Sequence, residues 1–394
     1  MAMQKMFVSE FVWEERYRVT QQEAVLTPAL AVYPEIVASN IQAMLRLLGG
    51  DGDRWRVHTK TAKLGYTLGM LIESGVRNFK CATTLELLVA AESGASDVLV
   101  AYPMVGANAR RLGEIAEQFK EVRISVLAEN AEQVRQWAAS RVGVFLDINP
   151  GMNRTGIAQE QKQEVVKLVR TIAHARAEFR GLHYYDGQYG GLAEPERTAA
   201  AHSGYQHLLA IVDELERDGV RVPEVITAGT PTLGCSLSFA AFRGRNLMHR
   251  VSPGTVVYGD ATSLEQLPPE WGLRPAVLVM ARVVSQPDAN KITCDAGHKA
   301  VSADAGVPTC VVVGHRELTP AGPSEEHLPL AVADGQAAPR VGDMLFLLPR
   351  HVCPTVNNFD QALLVRNGRI ESLEKVSARG HEVPLVEMDK VQAA

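Results

Sequence analysis

Residues 55–101, WRVHTKTAKLGYTLGMLIESGVRNFKCATTLELLVAAESGASDVLVA, decide the fold class of this chain. Three short runs, Trp55–Thr59, Asn78–Ala82 and Asp97–Ala101, are predicted strands. The amphipathic stretches between them, Leu64–Ser74 and Leu85–Ser93, are predicted helices, and a glycine stops each one. Strands that alternate with helices in this way predict βαβ units and a parallel sheet.

The same alternation extends over residues 26–265 and predicts an α/β fold, a TIM-like (β/α)8 barrel of about 250 residues. An open doubly wound sheet is the alternative, but near-equal units without a GxGxxG after an early strand favour the barrel. Nine candidates are available for eight strands, so one of the two terminal candidates must lie outside. The candidates are Leu30–Tyr33, Trp55–Thr59, Asn78–Ala82, Asp97–Ala101, Arg123–Ala128, Val142–Asn149, Phe179–Tyr185, Glu224–Ala228 and Val251–Tyr258.

After residue 265 the helical periodicity disappears, and short strand-like runs are separated by Pro, Gly and Asp turns. The runs are Ala276–Val284, Thr309–Val313, Met344–Leu348 and Ala362–Val365. This texture predicts a mainly antiparallel β domain over residues 266–394, with residues 1–25 packing on it.

Composition and charge exclude several functional classes. The chain has 394 residues, 46% hydrophobic and 22% charged, which is enough for a sizeable core and too apolar for disorder. The net charge is −5, no basic run is present and aromatic residues make up only 6%, so nucleic-acid binding is not expected. No apolar run approaches the roughly 18–20 residues that span a bilayer.

The cysteines and the N-terminus indicate a cytoplasmic protein. The five cysteines are widely spaced and form no CxxC pair, which excludes a disulfide framework or a zinc knot as the organising principle. The first fifteen residues mix charged and apolar side chains, without the features of a signal peptide.

Chemically useful residues follow the predicted strands, where barrel active sites lie. Lys60, Arg154 and Tyr185 each follow a strand, and so do the turns Gly229-Thr230 and Gly254-Thr255. Gly-Thr turns can bind a phosphate through backbone N–H groups and hydroxyls, although each could be a plain turn. A lysine beside a phosphate site is a candidate for a Schiff base. The combination indicates pyridoxal phosphate or a sugar-phosphate carbonyl as the ligand.

A possible metal site lies in the predicted β domain at His351-Val352-Cys353. At strand spacing both side chains would point to one face, and imidazole and thiolate suit Zn²⁺. His327 is a further candidate in the same domain. The alternative is a buried cysteine beside an unrelated histidine.

Nine pieces spread in order over nearly the whole chain resemble the D-threonine aldolase and D-serine dehydratase family. This family consists of alanine-racemase-like (fold type III) enzymes that use pyridoxal phosphate. The matching pieces cover residues 58–61, 79–83, 151–156, 181–187, 229–232, 252–255, 297–304, 325–328 and 349–355. The ordered set is far more specific than any single piece.

The resemblance implies a role for each matching position. Lys60 would form the Schiff base, Arg154 would contact the phenolic oxygen of the cofactor, and Tyr185 would lie against its ring or ring nitrogen. The cofactor phosphate would be bound by Gly229, Thr230, Gly254 and Thr255. A divalent metal would be bound by His351 and Cys353, with Zn²⁺ favoured and Mn²⁺ or Mg²⁺ as alternatives. The resemblance also places Lys60 on the first barrel strand, so Leu30–Tyr33 would lie outside, and it implies a homodimer.

The expected activity is that of a lyase acting on small β-hydroxy-D-amino acids, with Lys60, Gln188 and His327 as the predicted catalytic residues. The pattern along the chain favours aldolase cleavage to glycine and an aldehyde. The chain departs from the family pattern at three positions. Two of them, Gln188 and Cys353, favour the alternative, a dehydratase forming a 2-oxo acid and ammonia. Ala62 and Gln188 stand where the family usually has histidine, and Cys353 is typical of the dehydratase type. Gln188 cannot act as a general base.

Two further alternatives have less support. A racemase would need a second base opposite Lys60, and the stretch Gly297-His298-Lys299 offers no tyrosine for that role. A non-catalytic carrier of the cofactor would resemble smaller, barrel-only relatives. The residues after 265, with the pair His351 and Cys353, argue against a carrier.

Overall fold

The computed structural model describes residues 15–384, which fall into two compact units. Of these residues, 51–60, 71–254 and 380–384 form one unit, which we call the barrel unit. Residues 15–50, 61–70 and 255–379 form the other, which we call the β unit.

Within residues 15–384 the structure has eighteen strands and ten α-helices. The strands are β1 (Ala29–Val32), β2 (Arg56–His58), β3 (Asn78–Cys81), β4 (Asp97–Val100), β5 (Arg123–Ala128), β6 (Gly143–Asn149), β7 (Ile157–Ala158), β8 (Glu178–Tyr184), β9 (Glu224–Thr227), β10 (Met248–Val251), β11 (Val277–Asp288), β12 (Lys291–Cys294), β13 (Cys310–Val312), β14 (Leu318–Pro320), β15 (Leu328–Val332), β16 (Met344–Pro349), β17 (Gln361–Arg366) and β18 (Arg369–Lys375). The helices are α1 (Pro34–Leu47), α2 (Gly65–Glu73), α3 (Thr84–Glu92), α4 (Gly106–Gln118), α5 (Ala131–Gln136), α6 (Lys162–His174), α7 (Glu196–Arg217), α8 (Leu233–Ser238), α9 (Ala261–Gln266) and α10 (Val352–Asn357).

The barrel unit contains the predicted parallel barrel. Strands β2, β3, β4, β5, β6, β8, β9 and β10 are neighbours in that order, and every pair among them is parallel. A parallel bridge between Trp55 and Val251 joins the first strand to the last. The sheet therefore closes on itself, which confirms the barrel and excludes the open doubly wound sheet.

The two terminal strand candidates have different outcomes. The expectation that Leu30–Tyr33 lies outside the barrel is confirmed, because β1 pairs with β11 and β17 in the other sheet. The predicted strand Val251–Tyr258 is wrong in its extent. The last barrel strand, β10, ends at Val251, and Thr255–Val257 is a 3-10 turn. Pro253 and Gly254 interrupt the extended backbone between them.

Alternate residues of each strand fill the barrel interior in layers. The lowest layer is charged. The fully buried Arg56 donates two hydrogen bonds to Glu224, at 2.7 and 2.8 Å, and one to Asp97, at 2.8 Å. Asp97 also forms an ion pair with Arg180, and Glu224 forms one with Arg250. Buried charges are tolerated when they are paired and hydrogen-bonded in this way.

An apolar layer follows, formed by Leu99, Leu127, Phe145 and Ile226 from β4, β5, β6 and β9. A bulge at Arg180 sets the register of β8, so that Phe145 is paired with Gly181. Gly181 has φ +139°, and a Cβ at this position would lie 1.9 Å from the carbonyl oxygen of Glu224. Only glycine fits such a close approach of two backbones.

The β unit contains the mainly antiparallel sheet that the sequence predicts. Its strands follow the order β14-β15-β12-β11-β1-β17-β18, and β16 pairs with β11 and β13. All of these pairs are antiparallel except β1 with β17. One of its buried strands is β16, which ends at Pro349, two residues before His351.

No helix within residues 15–384 combines the length and the apolar character that a membrane crossing requires.

Candidate active site

Lys60 lies two residues beyond the end of β2, at the C-terminal edge of the barrel. Its backbone N–H donates to Nδ1 of His58 at 3.3 Å, and the preceding residue, Thr59, donates its N–H to the carbonyl of Lys80 at 2.7 Å. The Oγ1 atom of Thr59 is buried and has no hydrogen-bond partner within the described residues. The lysine is therefore held at the barrel edge beside a polar atom that a ligand could satisfy.

Arg154 and Tyr185 are brought together at the same edge of the barrel. The Arg154 guanidinium lies 5.0 Å from the centroid of the Tyr185 ring, within cation–π range. Arg154 is exposed, whereas Tyr185 is partly buried. The ring of Tyr185 also packs against Gly229, because a Cβ there would lie 3.0 Å from Cε2 of the tyrosine. Tyr185 thus borders the first predicted phosphate turn, Gly229-Thr230, and Arg154 lies on the ring of Tyr185.

The turn after β9 is fixed in place by its surroundings. Ala228 has φ +60°, an uncommon conformation for a residue other than glycine, and it precedes Gly229 and Thr230 directly. The fully buried Asp186 accepts hydrogen bonds from Thr232 Oγ1, at 2.6 Å, and from the hydroxyl of Tyr205. Burial raises the pKa of Asp186 even though these bonds oppose the shift. Asp186 therefore fixes the turn from beneath.

The turn after β10 depends on a glycine. A Cβ on Gly254 would lie only 2.4 Å from the carbonyl oxygen of His58 and 3.1 Å from its Cβ. The turn can therefore approach β2, and with it the segment that carries Lys60, only without a side chain at this position.

We expect Gly254→Ala to lower the free energy of unfolding by about 1–3 kcal/mol, because the backbone must move to relieve the clash with His58. Urea denaturation checks this value. The matched control is Gly113→Ala in α4, where a Cβ meets nothing within 4 Å. That change should be neutral or slightly stabilising, since alanine is the better helix former. Equal effects of the two substitutions would contradict the proposed tight approach.

A buried polar network inside the barrel was not predicted from the sequence. Lys80 donates to Ser252 Oγ and lies 3.4 Å from Nε2 of His183, whose Nδ1 lies 2.7 Å from Asp147 Oδ1. Burial, followed by repulsion from Lys60, lowers the pKa of Lys80 to about 7. Burial and the charge of Lys80 also lower the pKa of His183. The imidazole is therefore neutral at physiological pH, which requires its Nδ1–H to donate to Asp147 and Nε2 to accept from Lys80.

A signal for this network does exist in the sequence. Polar residues recur at alternate positions of several parallel strands, namely Asn78 and Lys80 in β3 and Asp147 and Asn149 in β6. Such alternation normally indicates a solvent face. In a closed barrel whose helices cover the outside, the same alternation indicates a polar interior.

Gln188 lies in a 3-10 turn after β8. Its Nε2 donates to the carbonyl of Pro150 at 3.1 Å, and its Oε1 is buried without a partner in the described part of the chain. The side chain therefore presents an acceptor that a ligand N–H or O–H could satisfy. An amide in this position can orient a ligand but cannot remove a proton.

His351 and Cys353 are adjacent in the β unit, but not for the reason that the sequence suggests. The interpretation as strand spacing is wrong, since β16 ends at Pro349, His351 caps α10 and Cys353 lies in its first turn. Nδ1 of His351 lies 2.6 Å from Oδ2 of Asp304. Burial opposes protonation of His351, but its contacts with Cys353 and Asp304 outweigh burial and raise its pKa to about 9.

Two threonine hydroxyls surround the thiol. Cys353 Sγ lies 3.0 Å from Oγ1 of Thr61 and 3.7 Å from Oγ1 of Thr255. No group of three or more His, Cys, Asp or Glu side chains suited to a metal occurs among residues 15–384. His351 and Cys353 are thus at most a two-ligand site, which would leave further positions for water or substrate.

His327 is not part of this arrangement. It is exposed and lies in the loop before β15, where its backbone N–H donates to Ser324 Oγ at 3.3 Å. The neighbouring Glu325 and Glu326 pair with Lys299. The contacts given for the described residues do not link its imidazole to His351 or Cys353, and its catalytic role stays a prediction.

Comparison with known proteins relates both parts of the chain to enzymes. A curated D-threonine aldolase from Arthrobacter sp is 26% identical over 90% of this chain and 93% of its own length. A 3-hydroxy-D-aspartate aldolase from Paracoccus denitrificans (strain Pd 1222) is 27% identical over 91% of this chain and 93% of its own. The crystal structure of D-threonine aldolase from Filomicrobium marinum superimposes with a TM-score of 0.81 at 26% identity, covering 90% of this chain and 96% of that one.

Two family models match consecutive parts of the chain. Residues 276–365 match the model described as a serine dehydratase domain. Residues 34–262, more than half of the chain, match the alanine racemase N-terminal domain. The resemblance inferred from the motifs is confirmed, and the chain belongs to the alanine racemase N-terminal domain family.

Proposed function

We propose that this chain is a lyase that uses pyridoxal phosphate and a divalent metal to cleave small β-hydroxy-D-amino acids into glycine and an aldehyde. One observation carries the proposal: a single barrel presents Lys60 at the end of its first strand and glycine-dependent turns after its last two. Two relatives that align over 90% and 91% of the chain are named as aldolases of such substrates.

The residues at the barrel edge fit pyridoxal phosphate. Lys60 is the amine that would bind the aldehyde carbon, and the buried orphan Oγ1 of Thr59 lies next to it in the chain. Only glycine at position 254 lets the second turn approach His58 this closely. Backbone N–H groups and hydroxyls of such a turn can bind a phosphate. Arg154 provides a cation for the phenolic oxygen. When bound, the cofactor supplies a ring that stabilises negative charge on the substrate Cα.

The chain's own groups would orient the cofactor and exclude water. Tyr185 is fixed between the Gly229 turn and the cations of Arg154 and Lys80, so its ring forms a flat wall. Asp186 holds the phosphate turn from below. Gln188 offers its unpartnered Oε1 to a substrate N–H or O–H.

The pair His351 and Cys353 fits a divalent metal by its chemistry. An imidazole and a thiol suit Zn²⁺, with Mn²⁺ or Mg²⁺ as less favoured ions. The hydrogen bond of Nδ1 to Asp304 would leave Nε2 of His351 for the ion and fix the orientation of the ring. A metal held here would lower the pKa of the substrate β-hydroxyl. In the cleavage, that hydroxyl loses its proton, the Cα–Cβ bond breaks and Cα gains a proton.

A dehydratase is the second candidate. In that reaction the Cα proton and the β-hydroxyl leave as water, and the released enamine becomes an imine. A water molecule then hydrolyses the imine to a 2-oxo acid and ammonia. Two observations favour it, namely a thiol at Cys353 and an amide at Gln188 whose side chain cannot take a proton from the hydroxyl. The match of residues 276–365 to a serine dehydratase domain agrees with this alternative.

Product analysis distinguishes the two candidates. The full chain is incubated with D-threonine, D-serine and 3-hydroxy-D-aspartate, with pyridoxal phosphate and with Zn²⁺, Mn²⁺ or a chelator. We expect glycine and acetaldehyde from D-threonine, with turnover lost on chelation and restored by the metal. Formation of 2-oxobutanoate or pyruvate with ammonia would establish the dehydratase instead. Turnover that survives complete chelation would contradict the metal site, and the L-isomers serve as the stereochemical control.

The family resemblance implies a homodimer, and we propose that state for this chain. Light scattering on the purified full chain would test it, and a monomeric mass at working concentration would contradict it.

A further inference from the structure

Lys80 lies in the barrel interior, and the proposed function uses it only as a cation beside the Tyr185 ring. Only 2% of its surface is exposed, although lysine is rarely buried without a partner. It belongs to β3, where it is paired with His58 of β2 on one side and Leu99 of β4 on the other. The apolar layer that includes Leu99 begins at this level, so the amine can find polar partners only towards the C-terminal edge.

The contacts of Lys80 place its amine beside residues that belong to the proposed cofactor site or precede it in the chain. Nζ donates to Ser252 Oγ, which itself donates to the carbonyl of Ala228 at 2.9 Å. Nζ also lies 3.4 Å from His183 Nε2 and 5.6 Å from the centroid of the Tyr185 ring. An ammonium has three donors, and these contacts account for two. One N–H therefore remains for a further acceptor.

The polar groups of pyridoxal phosphate can be matched to the chain by chemistry. Its phosphate suits the turns at Gly229 and Gly254, its phenolic oxygen suits Arg154 and its aldehyde carbon suits Lys60. In this assignment the ring nitrogen would face only Tyr185, whose phenol carries no positive charge. Ser252, which receives the Lys80 amine, lies two residues before Gly254 in the chain.

We propose that Lys80, positioned by Ser252 and His183, is the proton donor to the ring nitrogen of pyridoxal phosphate. The inference rests on the proposed function, because it requires the cofactor to bind at Lys60. Lys80 thereby becomes a second functional lysine of the barrel, distinct from the one that binds the cofactor covalently. A cation at the ring nitrogen draws electrons from the ring, which assists loss of a proton or a carbon group from Cα.

The charges around Lys80 suit a group that exchanges its proton near neutrality. Burial and the charges of Lys60 and Arg56 favour the neutral amine, whereas Asp147 and Asp186 favour the ammonium. His183 faces it as a neutral acceptor, and the ring of Tyr185, with Arg154 near the same ring, completes its surroundings. With these groups the pKa of Lys80 is about 7, so both forms are accessible at physiological pH.

The test follows the visible absorbance of bound pyridoxal phosphate against pH in the holoenzyme, Lys80→Met and Lys80→Arg. Without the donor, the nitrogen joined to Lys60 should hold its proton more tightly. We therefore expect the pH midpoint of the absorbance change to rise by about one pH unit or more in Lys80→Met. In Lys80→Arg this midpoint should return towards the wild-type value. An unchanged midpoint in Lys80→Met, with full cofactor content, would overturn the proposal.

Two controls separate this role from packing. Lys63→Met removes another buried lysine, which donates to the carbonyl of Ala378, and should leave the midpoint unchanged. Ser252→Ala deletes only the hydroxyl that holds Lys80 and should raise the midpoint less than Lys80→Met does. If Lys80→Met fails to fold, the midpoint of Ser252→Ala tests the proposal in its place.

A cofactor analogue identifies the partner atom. In 1-deazapyridoxal phosphate a C–H group replaces the ring nitrogen, so the difference between wild type and Lys80→Met should disappear. A difference that persists with this analogue would overturn the assignment to the ring nitrogen. If the wild-type chain binds no pyridoxal phosphate at all, the proposed function fails first and this inference fails with it.

Discussion

Lys60→Ala is expected to abolish turnover, with a loss on the order of 10³-fold or more, because the variant lacks the amine that binds the cofactor. The structure leaves no obvious replacement at the barrel edge. Lys80 is buried and already engaged with Ser252 and His183, and Lys63 donates to the carbonyl of Ala378. Neither amine follows β2 at the position of Lys60.

The measurement combines kinetics with chemical trapping. Borohydride reduction of the holoenzyme should fix the pyridoxyl group on the peptide that contains Lys60, as mass spectrometry would show. Lys60→Arg keeps the positive charge without the nucleophilic amine and should lose activity equally, whereas Lys63→Arg should retain it. A label on another lysine of the wild-type chain, or turnover within about tenfold of wild type in Lys60→Ala, would refute the assignment.

The sequence was sufficient to predict the architecture because the barrel is built from local signals. Each βα unit has its own hydrophobic period and its own glycine stop, as in Asn78–Cys81 followed by Thr84–Glu92. The end of β10 was missed for an equally local reason. Val256 and Val257 are buried and apolar like a strand, yet Pro253 and Gly254 end the extended backbone before them.

The candidate site was predicted only where a residue follows a strand or belongs to a recognisable motif. Lys60, Arg154 and Tyr185 meet that condition. Lys80 and His183 lie within matching pieces, but their contact was not predicted, because it depends on the closure of the barrel, which brings together residues 103 positions apart. The pair His351 and Cys353 was found, but its local structure was not, since an HxC spacing fits a strand and a helix start equally well.

Arg56→Met is expected to lower the free energy of unfolding by about 3–5 kcal/mol, the usual cost of removing one partner of a buried ion pair. The substitution fills a similar volume but leaves Glu224 and Asp97 without their common partner. Their remaining cations each contact only one of the two carboxylates, Arg250 on Glu224 and Arg180 and Arg123 on Asp97. A loss of this size is a large fraction of the roughly 5–15 kcal/mol that stabilise a typical domain.

Urea denaturation of the apoprotein, followed by circular dichroism, measures the effect without involving the active site. The matched control is Arg170→Met, which breaks an exposed pair with Asp218 and should change stability little. The decisive comparison is the double variant Arg56→Met with Glu224→Gln. Because the second change removes a stranded charge, it should recover part of the loss.

The recovery decides what the charged layer contributes to the barrel. If the layer stabilises chiefly by pairing, removal of both partners costs less than removal of one, because the cost lies in the unpaired carboxylate. If the double variant is instead less stable than Arg56→Met, the side chain of Glu224 must contribute through contacts that do not involve Arg56, and Arg250 is then the partner to change next. A single variant within about 1 kcal/mol of wild type would show that water or backbone movement relieves the stranded charges, and that the lower end of the barrel is less closely packed than its buried arginine implies.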